Sequence, residues 1–229
     1  MQIETLCLDA GGVLVFPNWT RVSEALASHG VQVDPAALGA AEPHAKRQID
    51  TGRTIAQSTD QQRSWPYFNL VLEKAGVAQN AATDAALTEL HAYHQAHNLW
   101  EVVPDDVMPN LARFRRMGLR LVVVSNANGT LHVCFDRVGL SVFIDAAFDS
   151  HLEGVEKPHP RFFELVLARV GARPETTMHI GDLYHVDVVG ARNASIRPVL
   201  LDSFGLYGDA DCFRVRSLGE LADRLPRSL

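Results

Sequence analysis

Ile3-Glu4-Thr5-Leu6-Cys7-Leu8-Asp9-Ala10-Gly11-Gly12-Val13-Leu14 is the stretch on which the reading of this chain turns. A short apolar run delivers one carboxylate, Asp9, to its C-terminal end, and two glycines follow closely. An apolar run bounded by turn residues reads as a buried parallel strand, and open α/β sheets place their ligands beyond the carboxyl ends of such strands. Glycines at that point let the backbone turn sharply, so that several N–H groups can face one anion. A carboxylate beside an anion-binding turn makes sense as a nucleophile toward a phosphoryl-like group or as a metal ligand. The plainer alternative is a strand-end Asp that caps its own turn.

Beyond Leu14 the pattern changes. From about Trp19 to His97 no strand is visible, and helical spacing predicts helices near 22–29, 36–50, 62–75 and 82–97. Gly30, Thr51-Gly52 and Gly76 act as stops, and Asp34-Pro35 has the pattern of an N-cap followed by a first helical residue. Strands and helices then alternate: helix 107–117, strand 119–124, helix 131–138, strand 146–148, helix 160–170, strand 177–180, helix 186–194, strand 198–201, an edge strand near 212–215 and a last helix near 218–225. Such alternation predicts an α/β fold with a doubly wound parallel sheet, interrupted by a helical insertion after the first strand.

The C-terminal ends of the predicted strands carry Asp9, Ser125-Asn126 and Gly181-Asp182, and Lys157 follows the short strand 146–148. Parallel strands bring those ends to one edge. Asp9 and Asp182 can hold a hard divalent cation, Lys157 can neutralise a nucleophile and a substrate anion, and Ser125 with backbone N–H groups can bind phosphoryl oxygens. Asp187 could orient Lys157 or metal-bound water. Taken singly, Ser125 reads as a strand-end cap, Lys157 as a surface charge and Asp187 as a helix N-terminal charge. Their occurrence at successive strand ends favours a site.

With these four elements in order, the chain resembles the haloacid dehalogenase (HAD)-like hydrolase superfamily. The first motif stands as Asp9-Ala10-Gly11-Gly12-Val13, the second as Ser125-Asn126, the third as Lys157-Pro158 and the fourth as Gly181-Asp182 through Asp187. The resemblance implies a Rossmann-like core over residues 1–15 and 100–229 and a helical cap over 16–99. It implies an Mg²⁺-dependent phosphatase in which Asp9 attacks the phosphorus of a small phosphorylated metabolite, forming an aspartyl-phosphate that water hydrolyses. It also implies catalytic roles for Asp9, Ser125 and Lys157, phosphate binding by Gly11, Gly12, Ser125, Asn126 and Lys157, and Mg²⁺ held by Asp9, the Gly11 carbonyl and Asp182, with Asp187 behind them.

One position departs from the pattern. The family's second Asp, which protonates the leaving oxygen and then activates water, is Gly11 here. Such general acid–base catalysis contributes about 10²–10⁴-fold. Two further readings follow: a metal-independent 2-haloacid dehalogenase, whose halide leaving group needs no proton, and a catalytically impaired binding or regulatory protein on the same scaffold. Tyr184 and His185 are candidate replacement acids, with ordinary loop residues as the plainer reading. Lys46 and Lys74, the cap lysines, have no recognisable context for Schiff-base chemistry. His91, His94 and His97 read as a solvated helix face, and Arg53 as a surface charge.

Composition excludes several classes. The 229 residues carry a net charge of −6, which argues against nucleic acid or an anionic membrane as partner. Three scattered cysteines, Cys7, Cys134 and Cys212, match no zinc spacing and suit a reducing compartment. The N-terminal stretch reads as a strand rather than a signal peptide, and no apolar run reaches membrane-span length. The expectation is a cytoplasmic monomer or homodimer acting on a small molecule.

Overall fold

The computed structural model describes residues 2–225; Met1 and residues 226–229, at the ends of the expected core spans, lie outside the described residues. In chain order the elements are β1 Thr5–Leu8, β2 Phe16–Pro17, α1 Trp19–Ser28, α2 Pro35–Ile49, α3 Gly52–Gln57, α4 Asp60–Lys74, α5 Ala81–His97, β3 Trp100–Val102, α6 Val107–Arg116, β4 Arg120–Ser125, α7 Leu131–Arg137, β5 Ala146–Asp149, α8 Ser150–Glu153, α9 Pro160–Val170, β6 Thr177–Gly181, α10 Val189–Asn193, β7 Arg197–Leu201, β8 Phe213–Val215 and α11 Leu218–Arg224. Six strands form a parallel sheet in the order β5-β4-β1-β6-β7-β8. β1 is central: Leu8 pairs with Val123 of β4 on one side and with Ile180 of β6 on the other. All four residues of β1 are buried, which explains why it reads as a continuous apolar run rather than an alternating one.

Two apolar layers cover the sheet. Leu6, Leu8, Leu111, Phe114, Leu121, Val123 and Ile180 fill one side. Cys7, Val122, Val124, Phe162, Phe163 and Val166 fill the other. The alternation of Leu6, Cys7 and Leu8 between the two layers follows from the strand period of two. Helices α1, α2, α4 and α5 enclose a separate cluster that includes Val22, Leu26, Leu38, Phe68, Val71 and Leu87. Trp100 packs against both this cluster and the sheet layer.

Asp34 caps α2 by accepting the Ala36 N–H at 2.9 Å, with Pro35 at the first helical position. Four features were not read from sequence. Residues 16–17 and 100–102 pair antiparallel as a small ribbon at the ends of the insertion. The stop expected at Thr51-Gly52 leads straight into the short helix α3, capped by Thr51 through the Thr54 N–H at 3.2 Å. Ser150–Glu153 forms α8, capped by Asp149. Residues 184–188 wind as a π-helical turn before α10, so the predicted helix near 186–194 starts differently and two residues earlier. Segments this short carry too few residues for a period to show.

Phe114 is fully buried between α6 and the sheet, so Phe114→Ala should cost about 3–5 kcal/mol. Urea denaturation should show this as a lower midpoint, while Phe204→Ala, at a side chain 67% exposed, should stay within about 0.5 kcal/mol of the parent.

Candidate functional site

The pairing of β1 with β4 and β6 sets Asp9, Ser125 and Asp182 at neighbouring strand ends. Asp9 is 8% exposed, and its N–H donates to the Ile180 carbonyl at 2.9 Å, so its position is set by the sheet. Lys157 comes in from the loop after α8 and is completely buried. Its ammonium lies 2.8 Å from Asp9 Oδ1 and 2.8 Å from Asp187 Oδ1. Asp187, also fully buried, further accepts His179 Nε2 at 3.0 Å and the Leu183 N–H at 3.1 Å. Burial pushes the Asp187 carboxyl up, but the Lys157 charge and the His179 contact outweigh it and hold it well below the usual carboxylate range. Burial pulls Lys157 down, and Asp187 and Asp9 overcome that and raise it. Asp9 itself is raised, because desolvation exceeds the pull of Lys157. Asp9 Oδ1 also accepts the Ala10 N–H at 2.7 Å. With Oδ1 held by two donors, Oδ2 is the oxygen suited to attack.

The glycine turn works differently from the sequence-based expectation. The Gly12 N–H donates to the Val15 carbonyl at 2.9 Å, and the N–H groups of Leu14 and Val15 turn inward to the Ala10 carbonyl at 2.8 and 2.9 Å. Gly12 therefore offers closeness rather than a phosphate donor: its φ is +81°, and a Cβ there would lie 2.1 Å from Asp182 Oδ2. Gly181 is tight for the same reason, since a Cβ would fall 2.0 Å from Asp187 Cγ. Asn126 spends its side chain on Lys157, donating to its carbonyl at 2.9 Å and accepting its N–H at 2.8 Å, and so holds the lysine's backbone instead of facing an anion. Ser125 is buried, and its hydroxyl makes only a long 3.4 Å contact to the Asn126 carbonyl.

Over these strand ends lies a cavity of about 540 Å³, within the usual range for small-molecule sites. Asp9, Gly11, Ser125, Asn126, Lys157 and Asp182 line its floor, while Lys46, Arg63, Tyr67 and His94 come from the inserted helices. Lys46, without context in the sequence, lies 2.7 Å from Asp182 Oδ2 and 3.0 Å from Glu42 Oε1. Glu42 also accepts Tyr67 Oη at 2.9 Å and Trp19 Nε1 at 3.3 Å. Burial pushes the Asp182 carboxyl up to about 7 against the opposing pull of Lys46, with Asp9 adding to the rise. Asp50, fully buried at the end of α2, accepts the N–H groups of Tyr184 and His185 at 2.6 and 2.9 Å and Tyr207 Oη at 2.7 Å. It ties the insertion to the loop that carries Asp182.

Tyr184 and His185 do not line the cavity. The Tyr184 hydroxyl bonds to Asp211, and His185 Nδ1 lies 3.1 Å from Asp50 Oδ1. His91 and His94 do line it, contrary to the solvated-face reading, and His94 contacts Asn128 Nδ2 at 3.2 Å. Arg53 and Lys74 are exposed.

Asp9, Asp182 and Asp187 each offer an oxygen, and these oxygens lie within 4.8 Å of one another. Hard oxygen donors converging in this way fit Mg²⁺. Both Asp187 oxygens are engaged, Oδ1 by Lys157 and His179 and Oδ2 by the Leu183 N–H, and Asp187 does not line the cavity, so Asp9 and Asp182, which do, are the carboxylates suited to an ion.

A family model described as haloacid dehalogenase-like hydrolase matches residues 3–195. The chain belongs to this family of hydrolases. Haloacid dehalogenase-like hydrolase domain-containing protein 3 of Bos taurus is 28% identical over 208 residues, covering 88% of this chain and 82% of that protein. Glyceraldehyde 3-phosphate phosphatase of Methanopyrus kandleri is 30% identical over 146 residues, 63% of this chain and 61% of the phosphatase. The HAD-hydrolase YfnB from Bacillus subtilis, solved bound to magnesium, superposes with a TM-score of 0.73 at 16% identity, covering 98% of this chain and 99% of that chain, and shares its fold. Among the described residues no helix of this HAD-like hydrolase is long and apolar enough to cross a membrane.

Burial, with the neighbouring His91, lowers His94 to about 4, against about 6.5 in an unfolded chain. The unfolded state then takes up the proton first, so His94 makes stability fall as pH drops from about 6.5 toward 4. Urea titrations at pH 7.5 and 5 should show a smaller loss for His94→Gln than for the parent; equal losses would exclude this contribution.

Proposed function

We propose that this hydrolase is an Mg²⁺-dependent phosphatase of a small phosphorylated metabolite, with Asp9 as nucleophile and the helices between β2 and β3 as its cap. The observation that carries this reading is the convergence of Asp9, Asp182 and Asp187 oxygens within 4.8 Å of one another, with Lys157 on Asp9 and Asp187 and with Asp9, Asp182 and Lys157 lining the cavity. Such a set suits a dianionic phosphoryl group paired with a divalent ion. It suits a substrate carboxylate less, because a halo-acid would meet the same carboxylates.

Asp9 Oδ2 attacks phosphorus, the bond from phosphorus to the leaving oxygen breaks, and the leaving alkoxide takes a proton from water. Water then adds to the aspartyl-phosphate, releasing inorganic phosphate and restoring the Asp9 carboxylate. Lys157, 2.8 Å from Asp9 Oδ1, orients the carboxylate for attack, and the Ser125 hydroxyl can donate to a phosphoryl oxygen. Asp9, Asp182 and the Gly11 carbonyl would hold Mg²⁺, which supplies charge neutralisation between carboxylate and phosphate. The inserted helices screen the cavity from bulk solvent while leaving room for the hydrolytic water.

Gly11 leaves no side chain for the leaving-group proton. A Cβ at this position would meet only Trp100 Cδ1 and Nε1 at 3.4 Å, ordinary contact, so an Asp can be introduced there. A 2-haloacid dehalogenase is the second reading. It is favoured by one observation: the Lys46 ammonium on Asp182 offsets part of the repulsion a carboxylate substrate would meet.

Turnover of an activated aryl phosphate, whose leaving group barely needs protonation, should require Mg²⁺ and vanish in Asp9→Asn. Gly11→Asp should raise turnover of alkyl phosphates by about 10²–10⁴-fold. No phosphate release in any form, together with chelator-insensitive chloride release from 2-chloropropionate, would establish the second reading instead.

A further inference from the structure

The Lys46–Asp182 contact joins the inserted helices to the carboxylate proposed to bind metal. The two residues are 136 positions apart in sequence, and their atoms lie 2.7 Å apart. A Cβ on Gly12 would lie 2.1 Å from Asp182 Oδ2 and 2.6 Å from Lys46 Nζ, so ammonium, carboxylate and the glycine backbone crowd one small space. Mg²⁺ binds oxygen at about 2.0–2.1 Å and keeps several waters. A hydrated ion and an ammonium on the same carboxylate would compete for its lone pairs and repel each other in a poorly solvated site.

We propose that Lys46 and the divalent ion are alternative occupants of Asp182, so that metal binding at Asp9 and Asp182 displaces Lys46 from the floor of the cavity. A second partner is already in place for the displaced ammonium. Glu42 lies one helical turn before Lys46 on α2 and 3.0 Å from Nζ. Its carboxylate is held facing the lysine by Tyr67 and Trp19. Lys46 can leave Asp182 and keep Glu42 as its anion, while α2 stays fixed by Asp50 on the Tyr184 and His185 N–H groups. Lys46 is thus a positioning residue: it keeps the acidic floor compensated when no ion is bound, and it sets how tightly an ion binds.

This inference rests on the reading of Asp182 as a metal ligand, and the test separates the two. Mn²⁺ serves as the probe, titrated into the full chain with free Mn²⁺ followed by electron paramagnetic resonance. The variants are Lys46→Met, Lys46→Gln, Lys46→Arg and Asp182→Asn. Lys46→Met should bind Mn²⁺ at least tenfold more tightly than the parent, Lys46→Arg should match the parent, and Asp182→Asn should lose the site. Lys46→Gln keeps an amide for Glu42 and should tighten binding similarly, which covers a Lys46→Met chain that does not fold. Equal or weaker binding in Lys46→Met and Lys46→Gln, with binding still dependent on Asp182, would overturn the competition and leave the metal site standing. No Asp182-dependent binding in any form would overturn both.

Discussion

A fully buried ammonium between two carboxylates is the constraint around which this molecule is arranged. Lys157 has no solvent to fall back on, so its charge is tolerable only while Asp9 and Asp187 both stay within hydrogen-bond reach. Meeting that condition requires three strand ends and a loop to agree in position. β1 supplies Asp9, β6 and the π-helical turn supply Asp187, and Asn126 at the end of β4 holds the lysine's backbone by two hydrogen bonds. Gly181 has no side chain because Asp187 Cγ lies where a Cβ would be. The polar network therefore links its elements through groups that would be costly to leave unpaired, beyond what the apolar layers alone would specify.

The inserted helices are bound to this network through charge rather than through a broad apolar contact. Asp50 takes two donors from the segment that follows Asp182 and a third, the Tyr207 hydroxyl, from the loop after β7, and Lys46 lies on Asp182 itself. Both residues are near the C-terminal end of α2, so that end is anchored. The cavity between the insertion and the sheet mixes acids and lysines on its floor with Tyr67, Trp100 and His94 above. Discrimination among substrates would then fall to the upper wall, while the floor carries the reaction.

Gly11 and Trp100 together describe what the site lacks. Where the family pattern has an acid, the glycine faces the indole edge of Trp100 at contact distance from a would-be Cβ. Trp100 belongs to the small ribbon that closes the insertion, and it packs against both hydrophobic clusters. The Trp100 indole makes this wall of the cavity apolar close to Asp9.

The helical insertion, the parallel sheet and the row of polar strand ends were legible in the chain because each depends on local period and order. A buried run such as Leu6-Cys7-Leu8, or the Asp34-Pro35 helix start, carries its meaning within a few residues. The roles of Gly12 and Asn126 were misjudged because residue type does not reveal where a donor is spent, and here both are used inside the protein. Lys46, Asp50 and His94 were illegible because their partners lie far along the chain, and nothing local distinguishes a lysine that meets Asp182 from one that meets water, as Lys74 does. Local periodicity determined the fold class and the order of the strands' carboxylates, since it acts over short range, and the missing acid at Gly11 showed only against the first motif of the family the chain resembles. Only the tertiary structure decided which charges meet across the cavity, because those contacts arise where helices and strand ends distant in sequence converge.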